Sequence, residues 1–524
     1  MTAQSLLKPR HRTASTHRWW PILPIVALAA LLRFAGLSNQ PLWMDEIASL
    51  HNAQILSRSG LPAVAAQDHV APLSAVLDSI SIGIGGPSEF WLRLPAAVAG
   101  TLAVAMTYAV AQRILRDRAI ASGAALFAAV APFAVWYGQE ARMYSLLLLF
   151  SLLYVWACWS LVDGTARARD WVLMTVSAAL GLWAHHYMAL LIAAFGGFLL
   201  VQTGPRAALR LDPRARRLFL WAGTQVIAAA TFVPWLLLTR GQGNSTGFEK
   251  SGPLLWLPYT LFSDLAGMTL GPSVRDLRDT DALHALLANA PAVTLTVAAF
   301  ATLLVAGLPV LWRHGKAATA WIITWALVPP VLAIALTFVA DVSYNARYAI
   351  TAFPAVGLLV GAAVSRISTN WWARLAALLT AAVVMWSLAN WYTNAHYGKD
   401  DLRSPAAVLK SQLQPGDVLI LDNARAASTL DYYGWRCAPS DVAIGSADGA
   451  KGAASALSSR SGPGTTWLLV FRPWETDPGG LVPAALGAGR AGELVGSWPG
   501  STLTRYPGTP TVTASQDVAV GCPR

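Results

Sequence analysis

The chain has 524 residues, is 55% hydrophobic, carries only 12% charged residues and has a net charge of +11. Ordinary soluble domains hold about 25% charged residues, so this deficit, with 23 tryptophans, excludes a purely soluble protein and points to many membrane crossings. The 32 arginines and 6 lysines fall in short clusters between apolar runs. That is the pattern of membrane topology and not of a nucleic-acid surface, and the excess of Arg over Lys with abundant Ala fits a GC-rich bacterial genome.

In chain order, a basic N-terminus, "KPRHRTASTHRWW", precedes an apolar run over 21–37, read as an uncleaved first helix with its N-terminus inside. Further runs of spanning length cover 91–114, 119–137, 143–162, 218–238, 291–312, 319–340, 348–365 and 371–391. The stretch 171–201 is too long for one crossing at about 1.5 Å per residue, and splitting it at "HHYM" gives two short spans. The split also places "RDR", "DGTARARD", "GPRAALRLDPRARR", "RHGK" and "RISTNWWAR" inside, each with at least two basic residues, as the positive-inside rule asks. The expectation is a polytopic α-helical membrane protein of about 11 transmembrane helices, with external loops 38–90 and 240–290. Short external turns are "YGQEAR", "HHYM" and "DVSYNAR", and the C-terminus lies outside.

From about residue 398 the composition turns polar. "DDLRSPAAVLKSQL" has helical spacing, "QPGDVLIL" reads as turn then strand, and "TTWLLVF" as a second strand. The expected organisation is a membrane domain over 1–397 and a small extracytoplasmic α/β domain over 398–524. Cys158 lies in an apolar run and reads as an inert core residue, whereas Cys437 and Cys522 both fall in the tail. In an oxidising compartment those two could pair or remain free thiols.

The spans are nearly free of ionisable groups at their centres, which speaks against an ion-coupled transport path. Polar groups gather instead at the outer ends: Arg33, Asp45, Glu46, Asp68, His69, Glu140, Arg142, His185, His186, Tyr344 and Arg347. This distribution suits chemistry at the outer surface on a substrate whose tail stays in lipid. Asp45 and Glu46, in "NQPLWMDEIASLHNA", are both external; as helix residues they point about 100° apart, so one faces a substrate while the other orients a neighbour or binds acceptor. Capping of a first helical turn is the structural alternative for both. Arg347, where a span meets the outer surface, has the planar fork that suits a phosphate, with Arg142 a further candidate and Arg33 read as a side chain snorkelling to headgroups. Glu140 and Arg142 are two apart and do not share a helix face, which leaves a tight-turn role beside substrate contact. His185 and His186 with Asp68 and His69 have the chemistry of a divalent-metal site. Adjacent histidines diverge, however, so hydrogen bonding to donor or acceptor is the preferred reading and no metal ligands are assigned. Trp256, Pro258 and Tyr259 read as an interfacial anchor, with a lid as the alternative.

"PLWMDEIASL", "DHVAPLSAVL", "SEFWLRLPAAVAGTLAVAMTYAVAQRI", "APFAVWYGQEARMYSLLLL", "HHYMALL", "YNARYAITAFPAV" and, in the tail, "KDDLRSPAAVLKSQLQPGDVLI" together resemble the membrane glycosyltransferases related to protein O-mannosyltransferases. These belong to the GT-C class, which uses polyprenyl-phosphate sugars. The chain departs from the family's usual Pro-Pro-Leu element in the first loop, reading "VAPL". The resemblance implies a plasma-membrane enzyme whose site faces away from the cytoplasm and moves a monosaccharide from a polyprenyl-phosphate donor to a glycan, lipid or protein acceptor. Asp45 would be the base in a single inverting displacement and Arg347 would hold the phosphate. Substrate contacts would come from Glu46, Asp68, His69, Glu140, Arg142, His185, His186 and Tyr344. No cofactor is required, a divalent cation is compatible, and no nucleic-acid partner is expected. A lipid-linked-sugar flippase or transporter is the alternative of a different class; a scaffold whose working part is the tail, or a phosphoryl- or acyl-transfer enzyme on lipid carriers, are weaker ones.

Overall fold

The computed structural model describes residues 22–206, 215–240, 253–273, 275–279, 282–339, 344–436, 438, 440–458, 460–488, 491–510 and 518–520. The basic N-terminal segment, Cys437 and Cys522 lie outside the described residues; Cys158 is a buried free thiol.

Each expected apolar run is helical. α1 is Leu23–Phe34, and the first loop forms two helices of its own, α2 (Met44–Ala65) and α3 (Leu73–Gly85). α2 is interrupted at Gly60, whose φ of 76° only glycine adopts readily. α4 (Glu89–Leu115), α5 (Arg118–Val130), α6 (Pro132–Gly138), α7 (Tyr144–Val162), α8 (Ala168–Ala184) and α9 (Met188–Thr203) follow. The stretch read as two spans is therefore two helices, parted by His185–Tyr187. α10 (Arg216–Leu238), α11 (Pro253–Ala266), α12 (Ala290–His314), α13 (Lys316–Val339), α14 (Phe353–Val364) and α15 (Trp371–Thr393) complete the bundle. Among the described residues six helices are long and apolar enough to cross a membrane, and a bent pair, α5 with α6, makes a seventh. α1, α9 and α14 are apolar but shorter.

The 56° bend between α5 and α6 has a local cause. Pro132 has no N–H and disturbs the helical ladder around it, and Arg33 supplies replacement donors. Its guanidinium donates to Ala128 O (2.9 Å), Ala129 O (3.0 Å) and Ala29 O (3.2 Å). Arg33 does not snorkel: it is fully buried. Glycines make the room, since a Cβ on Gly138 would stand 2.8 Å from Arg33 Cγ. A second glycine contact, Gly123 on Gly361, brings α5 and α14 together, where a Cβ would meet backbone at 3.0 Å or less.

The tail is an α/β layer structure. Its sheet has the order β4-β5-β3-β1-β2-β6, with β1 (Val418–Leu421), β2 (Val442–Ile444), β3 (Arg460–Phe471), β4 (Glu493–Trp498), β5 (Ser501–Pro510) and β6 (Val518–Val520). β3, β1 and β2 are parallel; β5, β4 and β6 run antiparallel to their neighbours. β1 is buried on both faces, as a central parallel strand should be. Leu419 and Leu421 pack with α16 (Arg403–Gln412) and α17 (Ala426–Tyr432), while Val418 and Ile420 pack with α18 (Ala447–Ser458) and α19 (Leu481–Gly487).

The tail does not hang free of the bundle. Met44 of α2 packs against its core, Tyr433 Oη accepts the Leu42 N–H (2.6 Å), Arg403 pairs with Glu89 (2.6 Å), and Tyr432 donates to Pro87 O. The deepest link is a buried cluster around Glu46. Arg93 Nε and Nη2 grip its two carboxylate oxygens at 2.7 Å each, the Ala141 N–H donates to Oε1 (2.8 Å), and Lys399 Nζ from the tail strap donates to the same oxygen (3.0 Å). Arg93 spends its remaining donors on Leu37 O, Gln40 O and Pro41 O, so all five guanidinium N–H groups are used.

Burial pushes the Glu46 carboxyl up, but Arg93, Lys399 and the hydrogen bonds outweigh it and hold the group at about 2. Burial, with Arg93 beside it, brings Lys399 down to about 8 against the pull of Glu46 and Glu140. Between about 2 and the ordinary 4.5, the unfolded chain binds the proton that folded Glu46 refuses. Glu46's own contribution is therefore complete above pH 4.5 and is lost as pH falls through that window. Glu46→Gln strands two buried cations and should cost about 3–5 kcal/mol, whereas Lys399→Met leaves the Arg93 grip intact and should cost clearly less. Thermal melts of the two variants in detergent check this; equal melting temperatures would show that Glu46 is not the centre of the cluster.

Candidate functional site

Successive helices run up and down the bundle, so the turns 139–143 and 185–187 and the segment 344–352 share the end that carries α2 and the tail. Asp45 sits in the first turn of α2, after Trp43 in extended conformation. Its neighbour Glu46 points into the protein and is fully buried, while the Asp45 side chain keeps 24% of its surface exposed. The roughly 100° step between adjacent helical residues thus separates the two acids. Glu46 anchors, presenting no surface to an acceptor; Asp45 faces an opening.

Arg347 meets it there. The residue lies in a 3₁₀ turn, Ala346–Ala349, begun by Asn345, whose side chain accepts the Arg347 N–H. Arg347 Nη1 donates to Asp45 Oδ2 at 3.1 Å, and the guanidinium lies 5.5 Å over the Tyr144 ring and 5.7 Å over Tyr348, within cation–π range. Arg142 reaches the same turn of α2 from the other side, donating to Asp45 O (3.2 Å) and Ser49 Oγ (3.3 Å). The backbone positions flanking Glu140 are fixed by the buried cluster, since Lys399 Nζ also holds Gln139 O (2.9 Å) and Glu46 holds the Ala141 N–H. The Nε atoms of Arg142 and Arg347 are buried and have no hydrogen-bond partner among the described residues.

Electrostatics follow from this arrangement. Burial raises the Asp45 carboxyl, but Arg347, Arg142 and Arg472 together overcome it, and the group is held below its ordinary value. Burial also opposes the charge on Arg347, yet Tyr144, Asp45 and Tyr348 outweigh it, so Arg347 stays protonated. Glu140 is pushed up by burial; one oxygen accepts from Trp136 Nε1 (2.6 Å), and Oε1 has no partner among the described residues. His185 is buried, its Nδ1 accepting the Tyr187 N–H (3.1 Å), and burial with the charges of His186, Arg142 and Arg347 keeps it neutral.

The remaining expected residues divide. His69 and His186 are exposed near the opening, close enough to influence each other. Asp68 is used locally, accepting from Asn52 Nδ2 (2.7 Å) and the Val70 N–H (2.9 Å). Among the described residues no group of three His, Cys, Asp or Glu side chains converges to hold a metal ion. Tyr344 stands apart from Asp45 and pins α11, hydrogen-bonding Thr260 and stacking on Trp256 at 5.4 Å. α11, with Trp256, Pro258 and Tyr259, packs on the helices of the bundle rather than forming only a surface anchor. Sequence reasoning passed over Arg93, Lys399, Arg472 and the buried carboxyl of Asp78, which burial raises well above the usual range against the pull of Arg142. An arginine inside the apolar run "FWLRLP" was the available signal for Arg93.

Residues 69–237, less than half of the chain, match the family model of dolichyl-phosphate-mannose-protein mannosyltransferase. No curated protein matches the chain in sequence. Among solved structures the apo form of ArnT from Cupriavidus metallidurans is similar, with 13% identity, a TM-score of 0.52, and coverage of 92% of this chain and 97% of that one. The same protein bound to undecaprenyl phosphate has 13% identity, a TM-score of 0.51 and coverage of 94% and 98%. The archaeal oligosaccharyltransferase AglB from Archaeoglobus fulgidus, in complex with an inhibitory peptide and a dolichol-phosphate, has 14% identity, a TM-score of 0.48 and coverage of 94% and 74%. The resemblance read from the motifs stands, and the fold, membrane helices followed by a small sheet domain, is the one expected from the apolar runs and the strand patterns of the tail.

The Asp45–Arg347 contact predicts energetic coupling. A double-mutant cycle of Asp45→Asn and Arg347→Gln, read by thermal unfolding without substrate, should give about 1–3 kcal/mol. A coupling below about 0.5 kcal/mol, usual for exposed pairs, would mean that the two side chains are not held together.

Proposed function

We propose that the chain is a membrane glycosyltransferase that transfers one monosaccharide from a polyprenyl-phosphate donor to a hydroxyl of an acceptor outside the cytoplasm, with inversion at the anomeric carbon. The observation that carries this reading is one largely buried but still accessible carboxylate, Asp45, held 3.1 Å from the guanidinium of Arg347 at the ends of apolar helices. A base and a fixed cation, side by side at the depth of a lipid phosphate, are what sugar transfer from a lipid phosphate needs. The match to a mannosyltransferase family model over 69–237 and the likeness to ArnT, a protein seen bound to undecaprenyl phosphate, support the carrier class.

In this reading the donor phosphate takes the free N–H groups of Arg347, with Arg142 nearby, and the polyprenyl tail stays among the helices. Asp45 accepts the proton of the acceptor hydroxyl as its oxygen attacks the anomeric carbon. The bond to the phosphate oxygen breaks on the opposite face, and the polyprenyl phosphate leaves carrying the negative charge that Arg347 stabilises. A single carboxylate suffices because no covalent sugar intermediate forms. The pairing also couples binding to chemistry. While Arg347 is paired with Asp45 it weakens the base; once the phosphate neutralises the guanidinium, the Asp45 carboxylate gains proton affinity when a base is needed. His185, buried and neutral, offers a hydrogen bond without a charge, and Glu140, His69, His186 and Asp68 border the space for sugar and acceptor. Tyr344 acts through α11. The site faces the outside of the plasma membrane, and the tail sits over it.

The test is transfer from a panel of radiolabelled polyprenyl-phosphate sugars in membranes holding the protein. Asp45→Asn should lower the rate by about 10²–10⁴-fold, with undecaprenyl-phosphate binding retained. Arg347→Ala should weaken that binding by about tenfold or more. Unchanged transfer by Asp45→Asn rejects the base, and unchanged binding by Arg347→Ala rejects the phosphate site.

A further inference from the structure

The membrane end of the tail sheet carries a residue in an unfavourable conformation. Arg472, directly after β3, has φ 50° and ψ 58°, a left-handed backbone that crowds any side chain bearing a Cβ. The next residue is Pro473, which disfavours helical backbone before it. Such geometry persists only where the surroundings over-determine it, and it collects at functional sites.

The surroundings here are specific. Arg472 Nε and Nη2 hold Asp400 Oδ2 at 2.7 and 2.6 Å, and Nη1 reaches Glu475 Oε1 at 3.3 Å. Asp400 follows Lys399, so the same strap that anchors Glu46 also anchors Arg472. The guanidinium lies 5.5 Å from the Trp43 ring, and Trp43 is the N-cap residue of α2, two positions before Asp45. The Trp43 indole N–H is buried without a hydrogen-bond partner among the described residues.

We propose that Arg472 of the tail is a positioning residue of the membrane site: it holds Trp43 and the first turn of α2 in place and turns a fixed positive charge toward Asp45. The tail is then a working part of the site. Its purpose rests on the reading of Asp45 as the base, but its existence does not. Several charged and titratable groups face Asp45. Arg142 and Glu140 come from the turn before α7, Tyr144 from α7 itself, Arg347 from the 3₁₀ turn, and Arg472 from the tail; Glu46, on the same helix, points away. Of these only Arg472 belongs to the tail, and its charge is one of three that keep the Asp45 carboxyl low.

The experiment is the pH dependence of Asp45 modification by dicyclohexylcarbodiimide, which reacts with protonated carboxyls, on the full chain in lipid nanodiscs, read by peptide mass spectrometry. Arg472→Gly removes the guanidinium and relieves the backbone; Arg472→Gln keeps a donor for Asp400. In both, the labelling midpoint should move to higher pH, and on its alkaline side the labelling rate should rise about threefold or more. Arg472→Lys should stay near the unsubstituted protein. A midpoint unmoved in both neutral variants, with the strap around Lys399 still resistant to protease, overturns the proposal and leaves Arg472 as an anchor for Asp400 alone. Transfer by Asp45→Asn decides the separate matter of the base: normal transfer there would remove that reading while the labelling result still decides about Arg472.

Discussion

One buried carboxylate fixes the geometry of this end of the molecule. Glu46 draws together the first loop, through its own helix; a membrane helix, through Arg93; the turn before α7, through the Ala141 N–H; and the tail, through Lys399. Burying a charge in so dry a place is costly unless its lone pairs find partners, and here partners arrive from three separate segments. Glu46 is the hub in consequence. Without it, Arg93 and Lys399 are buried cations without compensation, so the four segments have one low-energy way to meet.

Asp45 inherits its position from that constraint. The acid next to it in sequence is immobilised, so the first turn of α2 cannot rotate, and Asp45 faces the opening. The turn that carries Arg142 is fixed by the same cluster, from Gln139 O on one side and the Ala141 N–H on the other. Two adjacent carboxylates thus do opposite things: one is sealed and holds the frame, and the other is left accessible among guanidiniums. In low dielectric these fixed charges act strongly and need no rearrangement as charge develops.

The apolar runs and their basic turns gave the helices, including the break at His185–Tyr187, because membrane topology is a local property of hydropathy and charge. The α/β character of the tail was legible from "DVLIL" and "TTWLLVF" for a similar reason: a short continuous apolar run bounded by turn residues marks a strand buried on both faces. Asp45, Arg142 and Arg347 could be picked out as polar groups at the outer ends of spans, and the structure brings them together. Arg33 could not be read correctly, because its partners, the carbonyls around the Pro132 bend, are distant in sequence and exist only once α1 and α5 pack. Lys399 and Arg472 were invisible for a related reason. Each is defined by a contact between the membrane region and the tail, and a reading that treats those as separate domains has no place for such a contact. Nothing in the one-dimensional pattern distinguishes Glu46 from Asp45 beyond their helical angle; burial does.

The separation of the cluster's members along the chain has a consequence for how the protein is made. Arg93 follows Glu46 by 47 residues, whereas Lys399 follows it by 353. A chain synthesised from its N-terminus can join the first two soon after α4 is inserted, but nearly the whole bundle must be delivered before the lysine exists. During that interval Glu46 lacks its last partner and the turn around Gln139 and Ala141 lacks half its anchorage. The site is therefore completed only after the helical bundle has been synthesised, and products that stop before Lys399 are left with an unfinished site.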